Sequence, residues 1–241
     1  MRKSLAVFAI LFLTCANALA GDIIEAGIKA ALQKRRPEIP VDNVTKTPIA
    51  GLYEVFAGGQ LYYTDAQAHY ILDGQLFDLE RNVSLSDERL KQLTAINFDQ
   101  LPLDLALKRV KGDGSRKLVY FGDPDCPYCR QLEQELTKVN NVTIYTFLLP
   151  LPIHPNADSM ARKIWCSKDR AKAWNDYMLN NAAPVAIGDC ATPIERTKAL
   201  ADRVHVNGTP AVFFADGQRE PGVIPASQIE QRFAEIQAKN K

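Results

Sequence analysis

Apolar and polar positions change period several times along this chain. Residues 5–13 are almost wholly apolar, follow Arg2 and Lys3, and lead to the small-x-small triplet Ala18-Leu19-Ala20. That layout predicts a cleaved secretory signal over residues 1–20, with Gly21 as the first mature residue. Cys15 raises a lipoprotein reading, but Leu13-Thr14 is a poor match to the required lead-in. No later apolar segment reaches the length of a membrane-spanning helix. The next pattern is helical: Ile23, Ile24, Ala26, Gly27, Ala30 and Ala31 share a face over residues 22–35, and Pro37 ends it.

The period then shortens to two. Tyr53, Val55 and Ala57 alternate with Leu52, Glu54 and Phe56, and Gly58-Gly59 predicts a turn into a second strand at residues 61–64. A third strand is expected at residues 69–72, with Asp73-Gly74 as a hairpin turn before residues 75–79. This meander has little core of its own and calls for a partner surface. Ser86 to about Asn97 reads as a helix with Leu90, Leu93 and Ile96 on one stripe, a stiff spacer rising about 1.5 Å per residue. Pro102 ends the connection.

From Leu105 the order reads strand, turn at Gly112-Asp113-Gly114, strand at residues 117–121, helix, then strand at residues 142–148. Helices are expected near residues 159–167 and 170–180. Thr192-Pro193-Ile194-Glu195 predicts a capping box opening a helix to about Val204. Residues 211–214 and 220–223 flank Asp216-Gly217 as a hairpin, and Ser227 with Glu230 predicts the cap of a last helix.

Composition narrows the class. The 241 residues carry 29 Lys+Arg against 28 Asp+Glu, and loss of the signal with Arg2 and Lys3 leaves a net charge of −1. No basic stripe points to nucleic acid and no cationic face to a membrane surface. Four cysteines remain after the signal: Cys126, Cys129, Cys166 and Cys190. An even number in an exported chain suggests two disulfides, and three pairings are possible. Taking Cys126 with Cys129 as the short loop leaves Cys166 with Cys190. That bridge would close a loop of about 25 residues, worth roughly 3.5 kcal/mol in the chain-entropy view.

The chemistry sits in Cys126-Pro127-Tyr128-Cys129, between the apolar run Leu118-Val119-Tyr120-Phe121 and a helical pattern. A thiol at a helix N-terminus meets unpaired N–H groups and the positive end of the dipole, which favour a thiolate. Such thiols fall to a pKa of about 3.5–7.5. Asp125, and Asp123 if it points inward, oppose that fall, so a reactive but not extreme thiol is expected at Cys126. Cys129 reads as the buried, resolving thiol. Zinc is disfavoured by spacing: Cys166 and Cys190 are far apart, and His69, His154 and His205 lie alone. A purely structural Cys126–Cys129 bridge would close too small a loop to stabilise much. Thr209-Pro210 fits an ordinary trans proline at a strand start, or a cis proline facing the cysteines; the cysteine helix upstream favours the second. Cys166 and Cys190 read as structural, His154 in Pro152-Ile153-His154-Pro155 as a loop histidine with a place near the site as the alternative, Trp165, Trp174, Met160 and Met178 as core or groove residues, and Tyr62 and Tyr63 as strand residues.

Together Leu61-Tyr62-Tyr63-Thr64-Asp65, Cys126-x-x-Cys129, Ile164-Trp165-Cys166-Ser167-Lys168-Asp169 and Val206-Asn207-Gly208-Thr209-Pro210-Ala211 carry a resemblance. The chain resembles the periplasmic thiol:disulfide interchange proteins of the DsbC/DsbG family, closer to DsbC. The resemblance implies an α+β fold. Residues 21–82 would be a small cystatin-like dimerisation domain, 83–104 a linker helix, and 105–241 a thioredoxin-like catalytic domain with a helical insertion. It implies a V-shaped homodimer, nucleophile at Cys126, resolving thiol at Cys129, cis-proline at Pro210 and peptide binding at Thr209, with Pro127 and Tyr128 beside them. It also implies a structural Cys166–Cys190 bridge, misfolded exported proteins as substrates, a DsbD-type membrane reductase as partner, and no cofactor or metal. The expected activity is isomerisation and reduction of protein disulfides in the periplasm. Pro127-Tyr128 resembles the DsbG pair, which makes a DsbG-like sulfenic-acid reductase the alternative. A dimeric chaperone with secondary thiol chemistry and a monomeric DsbA-like oxidase are the others.

Overall fold

The computed structural model describes residues 23–239. The signal sequence, Cys15 and the mature start at Gly21 lie outside them. The chain divides into two compact units between Leu93 and Thr94, a point inside the segment expected to be a linker.

In the first unit, helix α1 (residues 23–35) precedes a four-stranded antiparallel sheet of order β1-β2-β3-β4. The strands are β1 (Val41–Lys46), β2 (Leu52–Ala57), β3 (Gln60–Asp65) and β4 (Ile71–Leu72). Gly58 and Gly59 both take positive φ, +58° and +79°, as a two-residue hairpin loop between β2 and β3 requires. Strand β2 alternates as expected, but both of its faces are covered. Tyr53, Val55 and Ala57 pack with Ile28 and Leu32 of α1, while Phe56 packs with Leu61, Tyr63, Leu90 and Leu93. Strand β1 has no period-two signature because its pairing with β2 slips between Val41 and Asn43. That irregularity sends both Val41 and Val44 into the core.

Three expectations for this unit are corrected. Asp73-Gly74 closes no hairpin: Ile71 and Leu72 pair back on β3, while β5 (Phe77–Asp78) pairs with β6 (Val83–Ser84). The Asp65 carboxylate takes the amides of His69 and Tyr70 at 2.8 and 3.0 Å, which shortens the third strand to two residues. The expected long spacer is the nine-residue helix α2 (Leu85–Leu93). Ser84 accepts from the Asp87 amide at 3.1 Å, and Ser86 is buried against the Tyr63 hydroxyl at 2.5 Å. Leu90 and Leu93 find partners on the sheet, so the stripe is used for packing within this unit. Ile96 belongs to the other unit's core, after which the chain runs through 3-10 turns at Phe98–Gln100 and Leu103–Leu105.

The second unit is a five-stranded sheet of order β11-β10-β8-β9-β7. Its strands are β7 (Leu107–Lys111), β8 (Arg116–Gly122), β9 (Val142–Leu148), β10 (Ala211–Phe214) and β11 (Arg219–Pro221). Only β8 and β9 are parallel, joined by α3 (Pro127–Thr137) as a β-α-β crossover. Helices α4 (Ala157–Trp165), α5 (Arg170–Asn180) and α6 (Ile194–Arg203) form the insertion, and α7 (Ala226–Lys239) closes the unit. Along β8 the side chains alternate between two cores. Leu118 and Tyr120 meet α3, α5 and α7; Val119 and Phe121 meet α6 and the 3-10 turns. This is the thioredoxin-like arrangement expected from the sequence.

Two predicted caps differ. Pro193, without a side-chain bond, caps α6, and Glu195 pairs with Lys198 at 3.0 Å instead of closing a capping box. Ser227 lies inside α7, and Glu230 pairs with Arg116. The Ala226 amide at that helix start is taken by Glu135 of α3 at 2.9 Å. A partner 91 residues away supplies the cap expected from Ser227 and Glu230.

Candidate active site

Cys126 is the N-cap of α3, with extended backbone (φ −75°, ψ 120°), and Pro127 follows in the first turn. Proline suits that position because its missing N–H would have had no helical partner. Cys129, Leu132, Glu133 and Leu136 form the buried face of the helix, so the spacing of the motif turns the second thiol inward. Cys126 is 3 % exposed and Cys129 fully buried, and both are free thiols. Pro127 and Tyr128 are exposed beside them.

Thr209 and Pro210 arrive at the same place. Ala211 pairs with Phe121 on β8, which sets the Thr209-Pro210 turn opposite the start of α3. The Thr209–Pro210 bond is cis. The Cys126 thiol donates to the Thr209 carbonyl at 3.3 Å. Pro210 is buried and Thr209 half-buried, and the Thr209 hydroxyl is buried.

The electrostatics separate the two thiols. A hydrogen bond from Cys129 holds the Cys126 thiol down at about 5, against its burial and with help from the Thr209 hydroxyl and the Cys129 and Tyr128 amides. Burial, together with the neighbouring Cys126, pushes the Cys129 thiol far up. The aspartates expected to oppose the thiolate are engaged elsewhere. Asp125 accepts from the Tyr177 hydroxyl at 2.9 Å. Asp123 accepts from the amides of Asp125 and Leu151, each at 2.7 Å, and faces His154 Nδ1 at 2.9 Å. His154 lies on a loop, as read, and its ring is bound to the segment that carries the cysteines, so the alternative place near the site also holds. Only the flanking Pro152 and Pro155 hinted at a shaped loop.

Behind the helix lies a buried polar cluster that the sequence reading passed over. Glu133 receives Arg109 at 2.6 and 2.7 Å, Trp174 Nε1 at 2.6 Å and the Tyr120 hydroxyl. Burial and the adjacent Glu133 charge push the Tyr120 phenol well up. The Glu133 charge keeps Arg109 protonated despite its burial. The signal was present in the sequence, since Glu133 sits on the apolar stripe Cys129, Leu132, Leu136. Trp174, read as core or groove, is core and fully buried. Gly122 at the end of β8 has no room for a side chain: a Cβ there would stand 2.7 Å from the Tyr120 ring and 3.2 Å from Trp174.

Cys166 and Cys190 are joined to each other, with S–S 2.00 Å and Cα–Cα 5.7 Å. Cys166 ends α4, and Asp169 caps α5 by accepting from the Lys172 amide at 2.9 Å. The Ile164-to-Asp169 motif is thus a bridged corner between two helices. Among the described residues no group of three or more His, Cys, Asp or Glu is placed to hold a metal ion. No described helix is long and apolar enough to cross a membrane.

Comparison with known proteins agrees with this geometry. Residues 103–237 match the thioredoxin-like domain family, and residues 16–87 match the disulfide bond isomerase protein N-terminal domain. The chain is 40 % identical over 216 residues to a probable thiol:disulfide interchange protein DsbC of Bordetella parapertussis, covering 90 % of this chain and 76 % of that one. It is 28 % identical to the thiol:disulfide interchange protein DsbC of Escherichia coli, covering 98 % of each. A crystal structure of a disulfide interchange protein from Neisseria gonorrhoeae superposes with TM-score 0.54 and 40 % identity, over 56 % of this chain and 97 % of that one. The chain belongs to the DsbC family of thiol:disulfide interchange proteins.

Proposed function

We propose that this chain is a periplasmic protein-disulfide isomerase and reductase in which Cys126 is the nucleophile and Cys129 the resolving thiol. The observation that carries the assignment is the contrast between the two sulfurs on one helix turn. Cys126, held at about 5, is a thiolate at neutral pH, while buried Cys129 keeps its proton.

Cys126 attacks one sulfur of a wrong substrate disulfide. A Cys126–substrate bond forms, the substrate S–S bond breaks, and a substrate thiolate leaves. In isomerisation that thiolate attacks another substrate disulfide, and a substrate sulfur finally displaces Cys126, with no net change in oxidation. In reduction Cys129 loses its proton and attacks Cys126 Sγ. The substrate leaves as a dithiol, and Cys126–Cys129 carries away the oxidation. A membrane reductase of the DsbD type would return two electrons to that pair. The chemistry needs no cofactor or metal. The exposed Pro127 and Tyr128, with Thr209 and Pro210, form the surface on which an extended peptide would lie beside Cys126, Thr209 supplying backbone groups for strand addition. Misfolded exported proteins are the substrates that fit such a surface.

Export is supported by the signal pattern over residues 1–20, and the Cys166–Cys190 bridge suits an oxidising compartment. A homodimer is supported by β4, an edge strand whose Ile71 and Leu72 are exposed with neighbouring Tyr70. An open apolar edge is a template for a second copy of itself; a sedimentation mass of a single chain would exclude it. The roles of the two thiols are tested by Cys129→Ser, which should accumulate substrate proteins linked to Cys126. Trapped partners absent from Cys129→Ser would refute the assignment.

A further inference from the structure

Asp123, fully buried at the end of β8, is the hub of the loop that presents the dithiol. Its amide donates to Cys129 Sγ at 3.4 Å and its carbonyl accepts from the Cys126 amide at 3.2 Å. Its carboxylate holds the Asp125 and Leu151 amides, and its Oδ2 faces His154 Nδ1. A buried carboxylate is costly unless it is paired and hydrogen-bonded. The imidazole of His154, its side chain 22 % exposed, is the group that pairs with it at 2.9 Å. Backbone bonds fix the loop that carries the ring: the His154 amide donates to Leu151 O at 3.0 Å, and Ala157 N donates to His154 O at 3.1 Å.

The titratable groups facing this ring are Asp123 in contact and Cys126 and Asp125 at longer range. All three are, or become, anions. The hydrogen bond to Asp123 raises the proton affinity of His154, so the ring carries its charge to higher pH than an ordinary histidine.

We propose that His154 is a positioning residue whose positive charge neutralises Asp123 and so lets Cys126 ionise readily. This goes deeper into the proposed function and rests on Cys126 being the reacting thiol. With His154 protonated, the Asp123–His154 pair is neutral and adds no repulsion to a thiolate at Cys126. With the charge gone, a buried carboxylate stands one loop turn from the forming thiolate and opposes it. The two ionisations form one coupled system.

The test is the pH dependence of iodoacetamide labelling at Cys126 in the reduced protein, read by mass spectrometry of the labelled peptide. It needs no disulfide substrate, so its outcome is separate from success or failure of isomerisation. His154→Gln keeps a hydrogen-bond donor and removes the charge; His154→Arg keeps a charge. The expected result is a labelling midpoint about 1 pH unit higher in His154→Gln than in the unaltered protein, the shift a nearby opposite charge typically produces. His154→Arg should keep the unaltered midpoint. A midpoint that stays put in His154→Gln, or that moves equally in both variants, overturns the proposal in favour of a merely structural histidine. Circular dichroism of both variants guards against misfolding. Should His154→Gln unfold, Asp123→Asn takes its place: it removes the opposing charge itself, so its labelling midpoint must lie no higher than that of the unaltered protein, and a higher midpoint overturns the proposal.

Discussion

Cys126 Sγ lies 3.3 Å from the carbonyl oxygen of Thr209, a residue 83 positions further along the chain. The contact is made by sheet pairing, because β10 lies antiparallel to β8 with Ala211 opposite Phe121. Removing the Thr209 hydroxyl should therefore act on the sulfur without displacing the backbone. Thr209→Val is expected to raise the Cys126 midpoint above about 5, since the hydroxyl is one of the groups that favour the thiolate. Ultraviolet absorbance of the thiolate during a pH titration of reduced protein reads this directly, and an unmoved midpoint would count against a role for that hydroxyl.

The low Cys126 pKa is also a statement about stability. The folded value of about 5 lies below the ordinary thiol value of about 8.5. The unfolded chain thus holds a proton that the folded one has released, and stability rises with pH across that window. The contribution is fully present above about pH 8.5 and is lost as pH falls through about 5. Urea unfolding of the reduced protein should show this rise, and Cys126→Ser should flatten it. Equal pH dependence in the two proteins would contradict it.

Much of this was legible in the sequence. The cysteine helix and the strands around it follow from local patterns, because each is written in residues near one another; the Cys166–Cys190 pair, 24 positions apart, follows by elimination and from the resemblance. What escaped depends on partners brought from afar. Strand β1 was hidden by its irregular pairing, and the short β4 by the Asp65 carboxylate capturing two amides. The expected spacer helix ends at Leu93, and its Leu90 and Leu93 pack on a sheet that the stripe alone does not announce. His154 looked isolated because its partner, Asp123, is 31 residues earlier.

Glu133 and Arg109 give a prediction about the scaffold. Their side chains are 1 % and 10 % exposed, and the pair joins β7 to α3. Removing one partner leaves a buried charge alone, so Arg109→Ala should cost about 3–5 kcal/mol. Arg109→Met with Glu133→Gln, which removes both charges and keeps an acceptor for Trp174 Nε1 and the Tyr120 hydroxyl, should cost less. Chemical denaturation of the two variants decides it, and a double variant as unstable as the single one would refute the argument.

The Cys166–Cys190 bridge should matter to stability and not to exchange chemistry. Replacing both cysteines by Ala is expected to cost up to about 3.5 kcal/mol, from the loop the bridge closes. Exchange activity measured well below the lowered melting temperature should persist. Its loss in a folded variant would mean that this pair takes part in the reaction.

The central claim is that Cys126 rearranges disulfides in other proteins. The most direct test is recovery of activity from a scrambled multi-disulfide substrate with catalytic amounts of the reduced protein and Cys126→Ser as control. The account predicts recovery that depends on Cys126 and is abolished in the variant. No recovery, with Cys126 still reacting with a protein sulfenic acid, would contradict it and make the chain a reductase of single oxidised cysteines.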